Sequence, residues 1–273
     1  MQKEQFKYFP QTKEELRSLI EQRIKDEGNE VNLNDIDVSA ITDMSGLFEI
    51  LKDFNGNISK WDVSHVTDMS YMFFGCVSFN QDLSDWDVSH VTDMSTMFFG
   101  CVSFNQDLSD WDVSQVTTMN DMFYNCTHFN RNLSNWNVSQ VTNMAGLFFN
   151  CRDFNQNLSN WDVSNVTDMR FMFYYCEKFN NDISKWNVSR VTDISFMFYN
   201  CIDFNQDLSK WNVSKVTDMN GMFVGCEKFN QDLSKWDVSK VTDMIRMFSD
   251  DCPIKNKYKP KFEIIDEPHI DIR

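Results

Sequence analysis

A solenoid of about nine stacked coils is the architecture this chain predicts, and three observations carry the prediction. Tryptophan stands at Trp61, Trp86, Trp111, Trp136, Trp161, Trp186, Trp211 and Trp236, one every 25 residues, and Ile36 holds the same place one period earlier. The whole segment CVSFNQDLSDWDVSHVTDMSTMFFG, from Cys76 to Gly100, recurs with small changes from about Asp35 to Cys252. Only 8 Gly and 4 Pro occur in 273 residues, too few for a sandwich of many tight hairpins. One such unit buries too little apolar surface to offset the entropy of ordering it, so neighbours must share a core and a backbone ladder. Stacked at the usual strand spacing of about 4.8 Å, nine coils make a rod about 40 Å long.

Along the chain, residues 1–34 read as an N-terminal cap. Thr12 and Glu15 stand in capping-box spacing, and Leu16, Leu19, Ile20 and Ile24 share one helical face, which predicts a helix covering the first coil. Residues 35–252 form the repeat array. Within one unit, Leu83, Trp86, Val88 and Val91 make the spacing LxxLxLxxL, the mark of a leucine-rich repeat strand with Trp in the second Leu place. Trp86 and Val88 are then expected inward on a short strand, with Asp85, Asp87 and Ser89 on the opposite, open face. Thr92 and Asp93 suit a helix start, and Met94, Met97 and Phe98 at i, i+3, i+4 predict a short helix or 3-10 turn on the convex side.

The residue before each Cys is Gly75, Gly100, Asn125, Asn150, Tyr175, Asn200 or Gly225, mostly types that enter the left-handed conformation. Cys101 and Phe104 follow as inward anchors. Asn105 recurs in all eight Phe-Asn pairs from Asn55 to Asn230, as expected of a structural ladder that satisfies turn backbone groups. One extra residue in FSDDC displaces Cys252, and residues 253–273 read as a C-terminal cap or tail, in which Phe262 to Ile265 are expected to pair with or cover the last coil.

These units, FNxDLSxWDVSxVTDMSxMFxxC, resemble the 25-residue repeats of BspA-type leucine-rich repeat surface proteins over roughly four-fifths of the chain. The resemblance implies a right-handed, leucine-rich-repeat-like solenoid and no enzymatic activity. It also implies adhesion or host contact, since many members are surface proteins or lipoproteins. The start, MQKEQFKYFPQTKEEL, shows neither an apolar signal core nor a lipobox-like Cys, so the sequence by itself reads as cytoplasmic.

Charge narrows the partners. A formal charge of −16 argues against nucleic acid and anionic membranes, and no apolar stretch suggests membrane insertion. Seven of the eight cysteines, Cys76 to Cys226, fall on one column with Cys252 displaced; neighbours lie close enough for bridges, but a spine of reduced, buried thiols is the simpler reading. No CxxC or interleaved His pattern points to zinc. His65 and His90 are expected as solvated residues rather than metal ligands, since Gln115, Gln140, Asn165, Arg190, Lys215 and Lys240 replace them further along. Repeated acids such as Asp82 and Asp87 lack any calcium-loop spacing. Threonines from Thr42 to Thr242 raise ice or crystal-surface binding, but they come mostly as Thr-Asp and Thr-Asn pairs without a T-x-T ladder. No nucleophile motif or phosphate loop occurs, so neither catalysis nor a cofactor is expected.

Information about a partner sits where the repeat varies. The residue before each Trp and the residues one and four after it give a strand face that is acidic in the first four coils and basic in the last three. Asp85, Asp87, Asp110 and Asp112 represent the acidic part; Lys185, Arg190, Lys210, Lys215, Lys235 and Lys240 represent the basic part. The gradient points to a protein partner or to head-to-tail self-association. The sequence thus predicts a noncatalytic protein-interaction module, with a secreted or surface adhesin as the alternative.

Overall fold

The computed structural model describes residues 6–262. Helix α1 (Lys13–Glu27) starts where Thr12 Oγ1 accepts from the Glu15 N–H at 3.2 Å while the Glu15 carboxylate accepts the Gln11 N–H at 2.8 Å. It ends at Gly28, whose φ of 90° lets the chain turn away. Leu16 and Ile20 are fully buried against the first coil, and Leu19 and Ile24 pack beside them. Arg23 fastens this cap: it donates to Glu27, to Asp35 at 2.9 Å and to the Asn32 carbonyl at 3.0 Å, and lies over the Tyr8 ring. Tyr8 itself bridges in parallel to Ile36, so residues before α1 also cover the first coil.

Each coil has two long walls and a short side. In the coil of Trp86 the Trp wall is 82–91, the turn wall 92–100 and the short side 101–106. On the Trp wall, Leu83, Trp86, Val88 and Val91 are buried while Asp85 and Asp87 are exposed, the alternation the sequence predicts. The predicted strand pairing is confined to the N-terminal end, where Asn32 bridges in parallel to Asn57 and Tyr8 to Ile36. In interior coils the Trp-wall backbone closes turns within its own coil, as from the Trp86 N–H to the Leu83 carbonyl. What crosses to the preceding coil is the indole, whose Nε1 donates to the Ile58 carbonyl at 3.2 Å. The parallel bridges that run the length of the stack lie on the turn wall, through Asp43, Asp68, Asp93, Thr118, Asn143, Asp168, Asp193, Asp218 and Asp243.

The turn wall also differs from the expected helix. Met94, Met97 and Phe98 are fully buried, as their spacing predicts, but the backbone is a train of tight turns. Its donors point along the stack: the N–H groups of Met94, Thr96, Phe98 and Gly100 reach carbonyls of Thr118, Asn120, Met122 and Tyr124 at 2.7–3.1 Å. A helix is blocked because one residue in the middle of each turn wall is left-handed, with φ of 54° to 62° at Gly46, Tyr71, Thr96, Asp121, Gly146, Phe171, Phe196, Gly221 and Arg246. The residue before Cys is left-handed as well, including Tyr175 at 58°.

The spacing of equivalent rings shows why the walls behave differently. Rings held in the same orientation in successive coils measure the local distance between coils. That distance is 6.4–6.5 Å along the tryptophans from Trp136 to Trp236 and 5.9–6.3 Å along the Phe54–Phe229 column. It falls to 5.3–5.8 Å along the Phe48–Phe248 column. A backbone ladder needs about 4.8 Å, which the Trp wall does not offer. The coils fan apart toward the tryptophans, so the stack curves with the turn wall on its inner, concave side. The sequence-based assignment of convex and open faces is therefore reversed.

Between the walls the core is continuous. Each Cys from Cys76 to Cys226 is fully buried and free, and its Sγ donates to a Phe carbonyl of the preceding coil at 2.9–3.1 Å. Burial pushes the Cys76 thiol up to about 12 and the others above the normal thiol range. The short side carries the Asn ladder: Asn55 Oδ1 accepts from the Asn80 N–H, Asn80 Oδ1 from Asn105, and so on to Asn230, which accepts from Lys255. At the far end the register recovers after FSDDC. Ile254 is buried in the Phe229 column and the Tyr258 carbonyl accepts the Leu233 N–H, so stacking continues past Cys252. Phe262 packs against the core, whereas the rest of the predicted covering segment lies outside the described residues.

Candidate interaction surface

The sequence-predicted charges all lie on the convex Trp wall. Asp85 and Asp110 are exposed. Asp87 and Asp112 are exposed too, yet each has a structural task, since Oδ1 accepts the N–H of Ser89 or Ser114 at 3.0 Å. These Asx turns take the place of glycine turns and occur at two further stations of the coil, as at Asp82 with Ser84 and Asp93 with Ser95. Bonds from Ser89 hold the Asp87 carboxyl below its usual range.

The basic half is partly offset. Lys185, Lys210 and Lys235 are exposed, but each feels the carboxylate of Asp182, Asp207 or Asp232 in its own coil. Arg190 donates to Asn165, and Lys215 and Lys240 are exposed above them. Lys210 and Lys235 line an open groove of about 460 Å³ together with Asp207 and Asp232. Asp35, the first acid of the strand-face series, is bound by Arg23 and Lys7, and it stays below its usual range although burial opposes that. His65 and His90 are exposed, and among the described residues no three His, Cys, Asp or Glu side chains converge as a metal site.

On the concave turn wall a second surface appears. Phe74, Phe99, Tyr124, Phe149, Tyr174 and Tyr199 are half-buried and stack in one column, with centroids 4.0–4.8 Å apart and planes within 18°. Stacking consumes the ring faces along the column and leaves the edges toward solvent. Phe171 and Phe196 form a parallel pair beside it at 5.0 Å, and Tyr71 is 47% exposed. Glu49 and Val224 bound the column at its two ends. The sequence held a signal for it in the doublets FF, FF, FY, FF, FY and FY after each buried Met or Leu, whose second aromatic a single buried face does not require.

Carboxylates on this wall sit in a different environment. Burial raises Asp121, Asp168 and Asp218 above the normal carboxylate range. Asp121 lies across Gly146, where an added Cβ would stand 2.1 Å from its Oδ1, so glycine is what admits the acid there. Arg170 sits 3.3 Å from Asp168.

Stacked copies of one unit, joined by a backbone ladder and sharing a continuous core, make this a tandem-repeat solenoid. The chain belongs to the family described as "Mycoplasma protein of unknown function, DUF285", which matches residues 15–129, 106–201 and 181–263. No curated protein matches it. Among solved structures it is similar to the one titled "Crystal structure of TLR13-ssRNA13 complex", at 11% identity and a TM-score of 0.34, over 86% of this chain and 38% of that one.

Proposed function

We propose that this protein is a noncatalytic protein-interaction module that docks a protein partner on its concave turn wall. One observation supports the reading most directly. In a molecule whose buried positions repeat almost unchanged, the turn wall carries a half-exposed aromatic column whose neighbours differ from coil to coil, as in Tyr71, Thr96, Asp121, Gly146 and Phe171. Aromatic side chains with satisfied backbone beneath them supply contact area at low entropic cost.

The charge gradient favours a second reading, in which the Trp wall is the binding face of a leucine-rich-repeat-like solenoid and orients a partner or a second copy. The BspA-type resemblance adds that the partner is a host or matrix protein. A comparative pull-down separates the two faces. Phe149→Ser should lose proteins that the intact chain retains, while the triple change Lys185→Glu, Lys210→Glu, Lys235→Glu should keep them. The opposite pattern, with both variants folded by circular dichroism, moves the site to the Trp wall. Retention by both variants removes the interaction reading from both faces.

A further inference from the structure

The aromatic column stops at Tyr199. Its ring stacks on Tyr174 at 4.7 Å, but the next coil places Val224 at that station, so no ring covers the other side. Phe196 beside it stacks on Phe171, and the next coil places Gly221 there. A Cβ on Gly221 would stand 2.6 Å from the Phe196 ring, so the ring lies across bare backbone. Beyond this gap come Ile245, 65% exposed, and Arg246, exposed and in no ion pair among the described residues. Tyr174, Phe196, Tyr199, Val224, Ile245 and Arg246 line one open groove of about 430 Å³, with Asn220 and Gly221 between them.

We propose that this groove binds an aromatic side chain of the protein partner with a carboxylate next to it in the partner's sequence. This rests on the interaction-module reading and names the chemistry of its anchor. The incoming ring takes the position that a ring would hold one coil further along, against Tyr199 and Phe196, with Ile245 on its other side. The carboxylate belongs at Arg246 because the rest of the rim repels it. Asp218 Oδ1 accepts the Asn220 N–H at 2.9 Å and Asp243 lies 3.5 Å from the Asn220 amide, so both acids stand beside the groove at Asn220. Arg246 presents a planar fork to a carboxylate, and a neutral aromatic segment leaves that fork unused. A nucleobase fits less well, since its phosphates meet the same acidic edge and the chain carries −16 overall.

The test uses the full chain and the probe peptide acetyl-Gly-Asp-Trp-Gly-amide, with acetyl-Gly-Asn-Trp-Gly-amide and acetyl-Gly-Asp-Ala-Gly-amide as comparisons, followed by saturation-transfer NMR and titration. The Asp-Trp peptide should bind at millimolar concentration or below, several-fold tighter than the Asn-Trp peptide, and the Asp-Ala peptide should not bind. Val224→Tyr extends the column in the manner of Tyr199 and should abolish binding without unfolding. Arg246→Gln should bring the Asp-Trp peptide down to the Asn-Trp level and leave the latter unchanged. Binding that survives Val224→Tyr, equal binding of the Asp-Trp and Asn-Trp peptides, or no binding at 10-fold above millimolar concentration overturns the proposal. These failures are distinct from failure of the interaction reading, which shows as retention of the same proteins by both pull-down variants.

Discussion

The two walls of each coil are built from the same 25 residues yet held in opposite ways. On the turn wall the main chain makes the inter-coil bonds, so side chains there are free to be Gly, Thr, Asp, Tyr, Phe or Arg at a single station. On the Trp wall the coils are too far apart for a backbone ladder, and the work falls to side chains. Indole Nε1 groups bridge neighbouring coils, while Asp and Asn oxygens close the turns. The recurrence of Trp-Asp-Val-Ser or Trp-Asn-Val-Ser from Trp61 to Ser239 is thus a structural demand, met equally by Asp or Asn as the Asx acceptor, whereas variety on the turn wall is permitted. Periodicity is strongest where side chains replace backbone, and the turn wall, where backbone makes the bonds, is the one that varies.

Trp161→Ala should break this comparison most visibly. It deletes a ring stacked between Trp136 and Trp186 at 6.4–6.5 Å, and it leaves the Leu133 carbonyl without the indole donor now at 2.9 Å. Removing a fully packed Trp costs about 3–5 kcal/mol. Phe149→Ala on the turn wall leaves the Phe149 main-chain bond to Gly146 in place and should cost about 1–2 kcal/mol, mainly from lost stacking on Tyr124 and Tyr174. Urea unfolding of both variants measures the ratio. Equal losses would mean that the walls carry the stack alike.

Much of this was legible beforehand, for reasons that differ by residue. The 25-residue period, the inward Leu83, Trp86, Val88 and Val91, the left-handed residue before each Cys and the Asn ladder follow from patterns that leave few alternatives. The turn wall reads as a short helix or 3-10 turn because Met94, Met97 and Phe98 bury the same side chains in a train of turns as they would in a helix; isolated i→i+3 turns are there, but no continuous helix. No residue type announces the left-handed station, since Thr96 and Phe171 occupy it as well as Gly146, at a cost in strain. Curvature was hidden as well, because it shows only in how the spacing between coils differs from the Trp column to the Phe48 column and not in any local motif. Asp87 and Asp112 looked free for binding because a solvent-exposed carboxylate and an Asx acceptor have the same sequence signature.

A second, smaller contrast is electrostatic. Trp-wall carboxylates such as Asp62, Asp87, Asp182 and Asp207 lie below the usual range because Ser N–H and hydroxyl groups bind them. Their contribution is present above the unfolded-state value and is lost as pH falls through their folded values, below about 4. Asp121, Asp168 and Asp218 on the turn wall are raised by burial, so they bind protons more readily in the folded chain. Stability therefore rises as pH falls from neutral through their folded values, then drops once the Trp-wall acids protonate. Urea midpoints between pH 3 and 8 should pass through a maximum on the mildly acidic side. Asp168→Asn should raise the midpoint at pH 7 and flatten the acid-side rise; an unchanged rise would assign it to general charge repulsion.

The smallest expected effect has the opposite sign to most substitutions. Thr96 is β-branched, 5% exposed, and held at φ 62°, a conformation that costs a non-glycine residue on the order of 1–3 kcal/mol. Its N–H and carbonyl are both engaged, to Asn120 and Phe99, and neither bond depends on the side chain. Thr96→Gly removes the strain and keeps both bonds, against a glycine entropy cost of about 0.5–1 kcal/mol in the unfolded chain. The net should be a gain of about 1 kcal/mol in urea unfolding. Gly46, Gly146 and Gly221 already occupy the same station, so the change imports nothing foreign to the fold. Thr92→Gly supplies the contrast. Thr92 starts the turn wall on a residue outside the left-handed region and donates its hydroxyl to the Thr67 carbonyl at 3.2 Å, so glycine there should destabilise. If Thr96→Gly destabilises as much as Thr92→Gly, the backbone ladder does not absorb side-chain change at the left-handed station, and the freedom ascribed to the turn wall is lost.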